Sequence, residues 1–313
     1  MRDSVQIVEV SPRDGLQNEK KILDTATKIE LIHRLVDGGA TRIEAVSFVH
    51  PKYVPTMADA EQVIAGLGQL DGVALAGLIV NERGLQRALE TDVDEINYVV
   101  VATETFSQRN QAATVSETLD VWERISPAIA DANRLRTVTI GASFGCPFEG
   151  EVTVEQVSEL ARRIAEVGVD ELALADTIGV GDPIDVARKL AAVAEHAPGV
   201  RLRCHFHNTR NTGLANAVAA VQAGVSALDS SIGGVGGCPF APNATGNIPT
   251  EDLGYLLARM GVATGLRLEE LLPSVDWISD QLERPVPGML AKAGLFPPEP
   301  VAASSADAGP GGR

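Results

Sequence analysis

The sequence predicts a (β/α)8 barrel, or TIM barrel, followed by additional C-terminal helices. Short β-rich runs alternate with longer runs whose apolar residues recur at the period of a helix. Eight such strand–helix units follow one another without a long linker, and eight is the number that closes a parallel barrel. A doubly wound open sheet is the structural alternative. No G-x-G-x-x-G motif follows the first strand, which disfavours a dinucleotide-binding version of that sheet.

Each unit of the predicted barrel contains a strand, and seven of the eight strands are followed by a predicted helix. The predicted strands span residues 5–10, 42–48, 73–80, 95–102, 137–143, 171–175, 201–207 and 227–232. The predicted helices between them span residues 26–36, 57–64, 84–89, 115–132, 154–167, 184–194 and 214–223. Gly38, Gly168 and Gly224 each end a helix, as is common because glycine tolerates the left-handed conformation of a C-cap.

The chain after Thr250 predicts two more helices, at residues 251–260 and 269–282. No change of composition and no long linker precedes them. We therefore expect residues 1–300 to form a single barrel domain that includes these C-terminal helices. Residues 301–313 are rich in Ala, Ser, Gly, Asp and Pro, a composition typical of a disordered tail.

Composition and charge narrow the classes of function. The 313 residues are 45% hydrophobic, which is enough to bury a large core. A formal net charge of −16 and a pI near 4.7 argue against nucleic acid or an anionic membrane surface as the partner. Only three cysteines occur, the N-terminus lacks the apolar run of a signal peptide, and no apolar stretch approaches the ~20 residues that span a bilayer. We therefore expect a cytoplasmic protein.

Polar side chains follow the predicted strands at the end where a barrel places its active site. Arg13 and Asp14 follow the first strand, either as a structural ion pair or as part of a site. If the pair belongs to a functional site, Asp14 would be a metal ligand or a base, and Arg13 would stabilise negative charge that develops in the reaction. Glu44 lies inside the apolar second strand, where an unpaired carboxylate is costly, so it must pair with an arginine or belong to a polar site. Asp176 and Thr177 follow the sixth strand in the same way.

The seventh strand carries the strongest indication of a metal site. His205 and His207 are two residues apart, so their rings project from one face, whereas Cys204 projects towards the outer helices. With the carboxylates at the other strand ends, the histidines can form part of a divalent-metal site. Imidazole, carboxylate and amide ligands without thiolate favour Mg²⁺ or Mn²⁺ over structural Zn²⁺.

A glycine-rich loop follows the eighth strand. Residues 233–240 read Gly-Gly-Val-Gly-Gly-Cys-Pro-Phe and contain a lone cysteine, Cys238. Glycine lets the backbone bend sharply and approach a ligand closely. The loop is typical either of a lid or site element or of a surface turn with an incidental cysteine.

These motifs resemble those of the 3-hydroxy-3-methylglutaryl-CoA (HMG-CoA) lyases, within the larger group of TIM-barrel metallolyases. The resemblance spans residues 5–282, and its motifs lie at residues 12–20, 44–52, 146–150, 176–181, 205–207 and 236–247. The last motif is specific to the lyases, whereas Arg-Asp-Gly and His-x-His are shared with related condensing enzymes. The chain departs from the family pattern at His50 and at residues 208–211.

The resemblance implies a set of site residues and partners. It implies Mg²⁺ or Mn²⁺ as the cofactor, with the ligands Asp14, His205, His207 and Asn247. It implies Arg13, Glu44 and Asp176 as substrate-binding or catalytic groups and Cys238 as the catalytic thiol. Together with Asp14 as a candidate base, these are the five expected catalytic residues. We expect four further residues to bind the acyl-CoA substrate, namely Gln17, Ser47, Thr177 and Arg210. A homodimer is also implied.

The implied reaction is a retro-Claisen cleavage of HMG-CoA to acetyl-CoA and acetoacetate. A base, Asp14 or Asp176, would take the proton of the hydroxyl group, Arg13 would stabilise the thioester enolate, and Cys238 would protonate it. The nearest alternative is a lyase of the same mechanism that acts on another branched 3-hydroxyacyl-CoA. More distant alternatives are a Claisen synthase of the isopropylmalate or citramalate type, and a barrel that binds a metabolite without catalysis.

Overall fold

Eight parallel strands form a closed barrel in the computed structural model of this chain, which confirms the predicted fold class. The structure describes residues 2–238 and 241–297, without the side chains of residue 238 and residues 241–245. The barrel strands are β1 (Gln6–Glu9), β2 (Arg42–Ser47), β3 (Ala74–Ile79), β4 (Glu95–Val101), β5 (Leu135–Gly141), β6 (Glu171–Asp176), β7 (Arg201–Phe206) and β8 (Ala227–Ser230). Each strand pairs with the next, and β1 pairs with β8 to close the barrel.

Helices surround the barrel and extend it at the C-terminal end. They are α1 (Thr25–Asp37), α2 (Ala60–Leu67), α3 (Glu82–Leu89), α4 (Glu104–Gln111), α5 (Val115–Asp131), α6 (Val154–Val167), α7 (Pro183–His196), α8 (Gly213–Gln222), α9 (Thr250–Arg259), α10 (Leu268–Leu282) and α11 (Leu290–Ala293). All nine predicted helices are present. Helices α4 and α11 were not predicted, because α4 is mostly polar and α11 is a single turn. The expected tail at residues 301–313 lies outside the described residues.

The helix starts follow from their capping residues. Thr114 and Thr153 each form a capping box with the residue three positions later, Glu117 for α5 and Gln156 for α6. Asp182 caps α7, accepting hydrogen bonds from two backbone N–H groups of its first turn. These caps satisfy backbone donors that would otherwise have no partner, so the βα loops enter each helix at a defined residue.

The apolar core lies between the barrel and its helices. Tyr98 points outward from β4 and stacks on Trp122 of α5 at a centroid distance of 5.8 Å. Both rings are buried, and the hydroxyl of Tyr98 donates a hydrogen bond to the carbonyl oxygen of Thr118. The outer faces of the strands thus carry the hydrophobic packing against the helices.

Four buried charges fill the barrel near the amino ends of its strands. This lower charged layer consists of Arg42, Glu95, Glu171 and Arg203. Arg42 donates two hydrogen bonds to Glu95, at 2.7 and 2.9 Å, and two to Glu171, at 2.6 and 3.1 Å. Arg203 lies 3.5 Å from Glu95 and 3.6 Å from Glu171. Burial would lower the pKa of Arg42, but the two carboxylates raise it above its ordinary value.

Candidate active site

The turn after β1 carries the first two site residues. Residues Ser11–Gly15 form one π-helical turn, which places Arg13 and Asp14 at the mouth of the barrel. The last residue of this turn, Gly15, must be a glycine because the loop after β8 approaches its backbone closely. A Cβ on that glycine would lie 2.9 Å from Oγ of Ser231 and 3.2 Å from the carbonyl oxygen of Val235. The turn therefore packs directly on the loop that follows β8.

Three ligand groups converge at this mouth. One ligand atom from each of Asp14, His205 and His207 lies within 4.8 Å of the other two. The imidazole rings share one face, as their two-residue spacing predicts, and their centroids are 5.0 Å apart. Nε2 of His205 lies 3.9 Å from Oδ2 of Asp14, too far for a direct hydrogen bond. The three groups are thus close together without satisfying one another.

Asn247 joins this cluster from another part of the chain. It forms an antiparallel bridge with His207, and its Nδ2 donates hydrogen bonds to Oδ2 of Asp14 at 2.9 Å and to the carbonyl oxygen of Val235 at 3.2 Å. Both partners are acceptors, so the amide must be oriented this way. The buried Oδ1 is left without a hydrogen-bond partner among the described residues. An unsatisfied oxygen beside a carboxylate and two imidazoles fits a divalent cation.

The charges of the cluster also suit a cation. Burial would raise the pKa of Asp14, but Arg13 and the two histidines lower it well below its ordinary value. Burial, followed by the effect of His205, lowers the pKa of His207 to about 4. At neutral pH Asp14 is therefore ionised and His207 is neutral, which are the forms that bind a metal.

Arg13 connects the cluster to the interior of the barrel. Its guanidinium donates a hydrogen bond to Asp14 at 2.7 Å and forms a buried ion pair with Glu44. Asn97 of β4 donates a hydrogen bond of 2.6 Å to the other carboxylate oxygen of Glu44. Both alternatives for Glu44 are therefore realised together, since it pairs with an arginine and belongs to a polar site.

Asp229 was not predicted as a site residue. Its Oδ2 lies 3.1 Å from Nδ1 of His205, which is its neighbour in the register of β7 and β8. A carboxylate at Nδ1 requires the proton on that nitrogen and leaves Nε2 free to bind a ligand. Asp229 also lies 3.4 Å from Arg203, so it links the mouth to the lower charged layer. The available signal was a carboxylate at an inward position of an apolar strand end.

The structure brings only some of the predicted substrate-binding residues to the cavity. Gln17 and Thr177 line it, together with Arg13 and the metal cluster. Ser47 is fully buried outside the cavity lining. Arg210 is exposed and donates hydrogen bonds to the carbonyl oxygens of Ile178 and Gly179, at 2.8 and 3.1 Å.

Asp176 is held by the turn that follows its own strand. Its carboxylate accepts hydrogen bonds from the backbone N–H groups of Val180 and Gly181, both at 2.9 Å. The residue is buried and is not part of the cavity lining. Burial raises its pKa, although these two hydrogen bonds oppose the shift.

The side chain of Cys238 lies outside the described residues. The backbone of Gly237–Cys238 forms a short strand, β9, paired with the strand β10 (Ala241–Thr245). Gly237 lines the cavity, so the backbone of this segment reaches the mouth of the barrel.

The HMGL-like family model matches residues 4–278. The chain belongs to the HMGL-like family. Its members include divalent-metal-dependent carbon–carbon lyases, and Asp14, His205 and His207 form a group that could hold such a metal here. This chain is accordingly a carbon–carbon lyase.

Two curated relatives in this family differ in their substrates. The (R)-citramalyl-CoA lyase of Chloroflexus aurantiacus is 40% identical over 96% of this chain and 98% of its own length. The hydroxymethylglutaryl-CoA lyase of Bacillus subtilis is 41% identical over 90% of this chain and 95% of its own length. The similarity therefore covers nearly the whole of each protein.

Solved structures of HMGL-like lyases share the fold closely. The HMG-CoA lyase of Bacillus subtilis superposes with a TM-score of 0.90 at 40% identity, covering 93% of this chain and 98% of that one. An HMG-CoA lyase from Acinetobacter baumannii, solved in complex with coenzyme A and 3-methylmalate, also gives a TM-score of 0.90, at 37% identity over 96% of this chain and 98% of that one. Across the described part of the chain, no helix is long and apolar enough to cross a membrane.

Proposed function

We propose that this protein cleaves HMG-CoA to acetyl-CoA and acetoacetate. The observation that carries the proposal is the convergence of Asp14, His205, His207 and the unsatisfied Oδ1 of Asn247 beside a cavity of about 360 Å³. The relatives named as HMG-CoA lyases support the choice of substrate, because they match this chain at about 40% identity over most of its length.

The cluster would hold Mg²⁺ or Mn²⁺ through these four residues. A divalent cation at such a site lowers the pKa of a bound hydroxyl group and orients the substrate. The residues of the chain would supply the ligand forms: Asp14 is ionised, and in neutral His205 the carboxylate of Asp229 would hold the proton on Nδ1, so that Nε2 could bind the cation.

Arg13 is the group we assign to the developing enolate. It is buried, it lines the cavity, and Asp14 and Glu44 hold its guanidinium in place on two sides. A cation fixed in advance stabilises negative charge on the thioester oxygen without reorganisation at the moment of reaction. Glu44 and Asn97 would serve to keep this guanidinium in position.

Two proton transfers accompany the cleavage. The hydroxyl proton leaves as the carbon–carbon bond breaks, and the thioester enolate takes up a proton to become acetyl-CoA. Asp14 borders the cavity whereas Asp176 does not, so we assign the first transfer to Asp14. We assign the second to the thiol of Cys238, on the family resemblance of its loop and on the position of the adjacent Gly237 at the cavity.

A second candidate substrate is (R)-citramalyl-CoA. The relative from Chloroflexus aurantiacus that carries this name matches 96% of the chain, compared with 90% for the HMG-CoA lyase of Bacillus subtilis. Both substrates carry a tertiary hydroxyl group on the carbon that is released as a ketone, so the same residues would serve either. We further propose that the enzyme works in the cytoplasm as a homodimer.

Turnover by purified, metal-stripped protein tests the proposal. HMG-CoA and (R)-citramalyl-CoA are supplied separately, with Mg²⁺, with Mn²⁺ and without metal, and the released keto acid is measured. We expect metal-dependent cleavage with the higher kcat/KM for HMG-CoA. A kcat/KM at least tenfold higher for (R)-citramalyl-CoA would establish the second candidate, and no turnover of either substrate with either metal would overturn both.

A further inference from the structure

The cavity at the barrel mouth has two halves of opposite character. One half is formed by β1, β2, β7 and β8 and contains Arg13 and the metal cluster. The other, which we call the apolar recess, lies over β3, β4 and β5. Most of the residues that line this side are aliphatic or aromatic, with one glycine among them: Leu78, Val80, Val99, Val101, Phe106 and Gly141. The polar residues on this side are Asn110, Asn97 and Thr139, and the hydroxyl of Thr139 donates a hydrogen bond to Oδ1 of Asn97.

Strand alternation builds the apolar recess. Val99 and Val101 follow Asn97 at two-residue intervals on the inner face of β4, and Leu78 and Val80 occupy the same face of β3 and its end. Val99 is only partly buried although it lies within a barrel strand, because its side chain faces the cavity. The accessible apolar surface of Val99 therefore lies inside the cavity.

Gly141 leaves space at the floor of the apolar recess. A Cβ at this position would lie 3.7 Å from Cγ2 of Val101 and 3.8 Å from Oγ1 of Thr177, both ordinary van der Waals distances. The backbone of Gly141 is not in the left-handed region, so alanine is tolerated there without strain. The missing methyl group is thus open volume that a ligand can occupy.

The charges exclude a carboxylate from the apolar recess. Among the described residues that line the cavity, Arg13 is the only arginine or lysine, and it is already bound to Asp14 and Glu44 in the opposite half. A carboxylate in the recess would lose its hydration without gaining a cation. An alkyl group would instead gain roughly threefold to fourfold in affinity for each methylene removed from water.

We propose that the apolar recess binds the alkyl substituent on the hydroxyl-bearing carbon of the substrate, and that it accepts groups longer than methyl, such as ethyl and propyl. This inference rests on the proposed function, which places the hydroxyl group at the metal cluster. The cluster and the recess border one continuous cavity. A substituent on the same carbon can therefore enter the recess, while the carboxylate arm of the substrate stays in the half that contains Arg13 and the metal cluster.

Binding of uncleavable ligands tests the recess independently of turnover. 3-Methyl-, 3-ethyl- and 3-propylglutaryl-CoA lack the hydroxyl group and cannot undergo the retro-Claisen step. We expect Kd, measured by isothermal titration calorimetry, to fall roughly threefold for each added carbon in the wild-type protein. A Kd that stays constant or rises with chain length would overturn the recess. If the trend holds while HMG-CoA is not cleaved, the proposed function fails and the recess stands.

Two variants and a matched control locate the effect. Gly141→Ala fills the floor, and we expect it to raise the Kd of the propyl ligand at least tenfold relative to the methyl ligand. Val99→Ala widens the recess and should lower that same ratio. Val100→Ala removes the same atoms from the outer face of β4, so the ratio should stay at its wild-type value. If the ratio of the propyl Kd to the methyl Kd were the same in the wild type and in all three variants, the alkyl group would bind elsewhere and the inference would be overturned.

Discussion

Two sets of buried charge lie inside this barrel, and they differ in how their charges are balanced. In the lower charged layer Arg42 is bound by both oxygens of Glu95 and of Glu171, and none of these three residues lines the cavity at the mouth. At the mouth, Oδ1 of Asn247 has no partner among the described residues and the imidazoles face a cavity. Buried charge alone therefore does not identify a site. Ligand atoms left free beside accessible space do.

Removal of a ligand from the mouth should have the largest effect. We expect His207→Ala to reduce turnover below detection and to weaken Mg²⁺ or Mn²⁺ binding more than about 100-fold, because it removes a direct ligand. Cys204→Ala is the control, since Cys204 is buried on the opposite face of β7 and should keep both properties. Metal titration and turnover measure the two effects. Normal metal-dependent turnover by His207→Ala would remove His207 from the site.

Breaking the lower charged layer should affect stability and not metal binding. Arg42→Met leaves Glu95 and Glu171 buried with less compensation, which costs about 3–5 kcal/mol of unfolding free energy in comparable buried pairs. Arg124→Met removes an exposed ion pair with Glu82 on the surface of α5 and should cost less than about 1 kcal/mol. Urea unfolding measures both. An Arg42→Met protein as stable as the wild type would show that the layer is not a structural element.

Asp229 connects the two sets of charge, so its substitution tests whether metal binding at the mouth depends on this connection. Asp229→Asn keeps an acceptor near Nδ1 of His205 but removes the charge that holds the proton there. We expect metal affinity to fall about 10–100-fold, as is usual when the partner of a metal-binding histidine is changed. Asp170→Asn, which alters an ion pair with Arg136 outside the cavity lining, is the control. Unchanged metal affinity in Asp229→Asn would limit Asp229 to a packing role.

Glu251 is a buried carboxylate with no cationic partner in the described part of the chain. Burial, with Asp252 and Glu9 nearby, raises its pKa to about 8. The folded protein then holds this proton up to about pH 8, while the unfolded chain releases it near pH 4.5. Stability should therefore fall by at most about 1.4 kcal/mol per pH unit as pH rises between these values. Removing the titrating group with Glu251→Gln should reduce this slope.

Urea unfolding between pH 5 and 8 measures the slope of the Glu251→Gln variant. Glutamine keeps an oxygen to accept the hydrogen bond from the backbone N–H of Gly233. Glu269→Gln, on the exposed side of α10, is the control and should leave the wild-type slope. The same slope in wild type and Glu251→Gln would mean that Glu251 titrates alike in the folded and unfolded chains.

Arg210 should give the smallest effect. Its guanidinium binds the turn at Ile178 and Gly179, next to the cavity residue Thr177. We expect Arg210→Ala to raise KM a few-fold, with kcat nearly unchanged, because loosening this turn alters substrate binding and not the bond-breaking step. Steady-state kinetics on HMG-CoA check this. A decrease confined to kcat would place Arg210 in the reaction itself, and identical kinetics would place it on the solvated surface.

Local periodicity was enough to predict the barrel and the two histidines. A two-residue repeat sets the face of a strand on which a side chain lies, so His205 and His207 could be assigned to one face and Cys204 to the other before any contact was known. Asn247, in contrast, was expected only from the family resemblance. Its amide reaches the cluster because the loop after β8 folds back to bridge with His207.

The sequence by itself determined the order of strands and helices, the inner positions of β7 and the carboxylates at the strand ends. Only the tertiary structure decided which of these groups meet. Arg42 binds Glu95 and Glu171 across the barrel, Asp229 meets His205 in the register of β7 and β8, and Asp176 turns to its own backbone. The physical reason is that periodicity is a local property of the chain, whereas partners across a closed barrel depend on the register and closure of all eight strands.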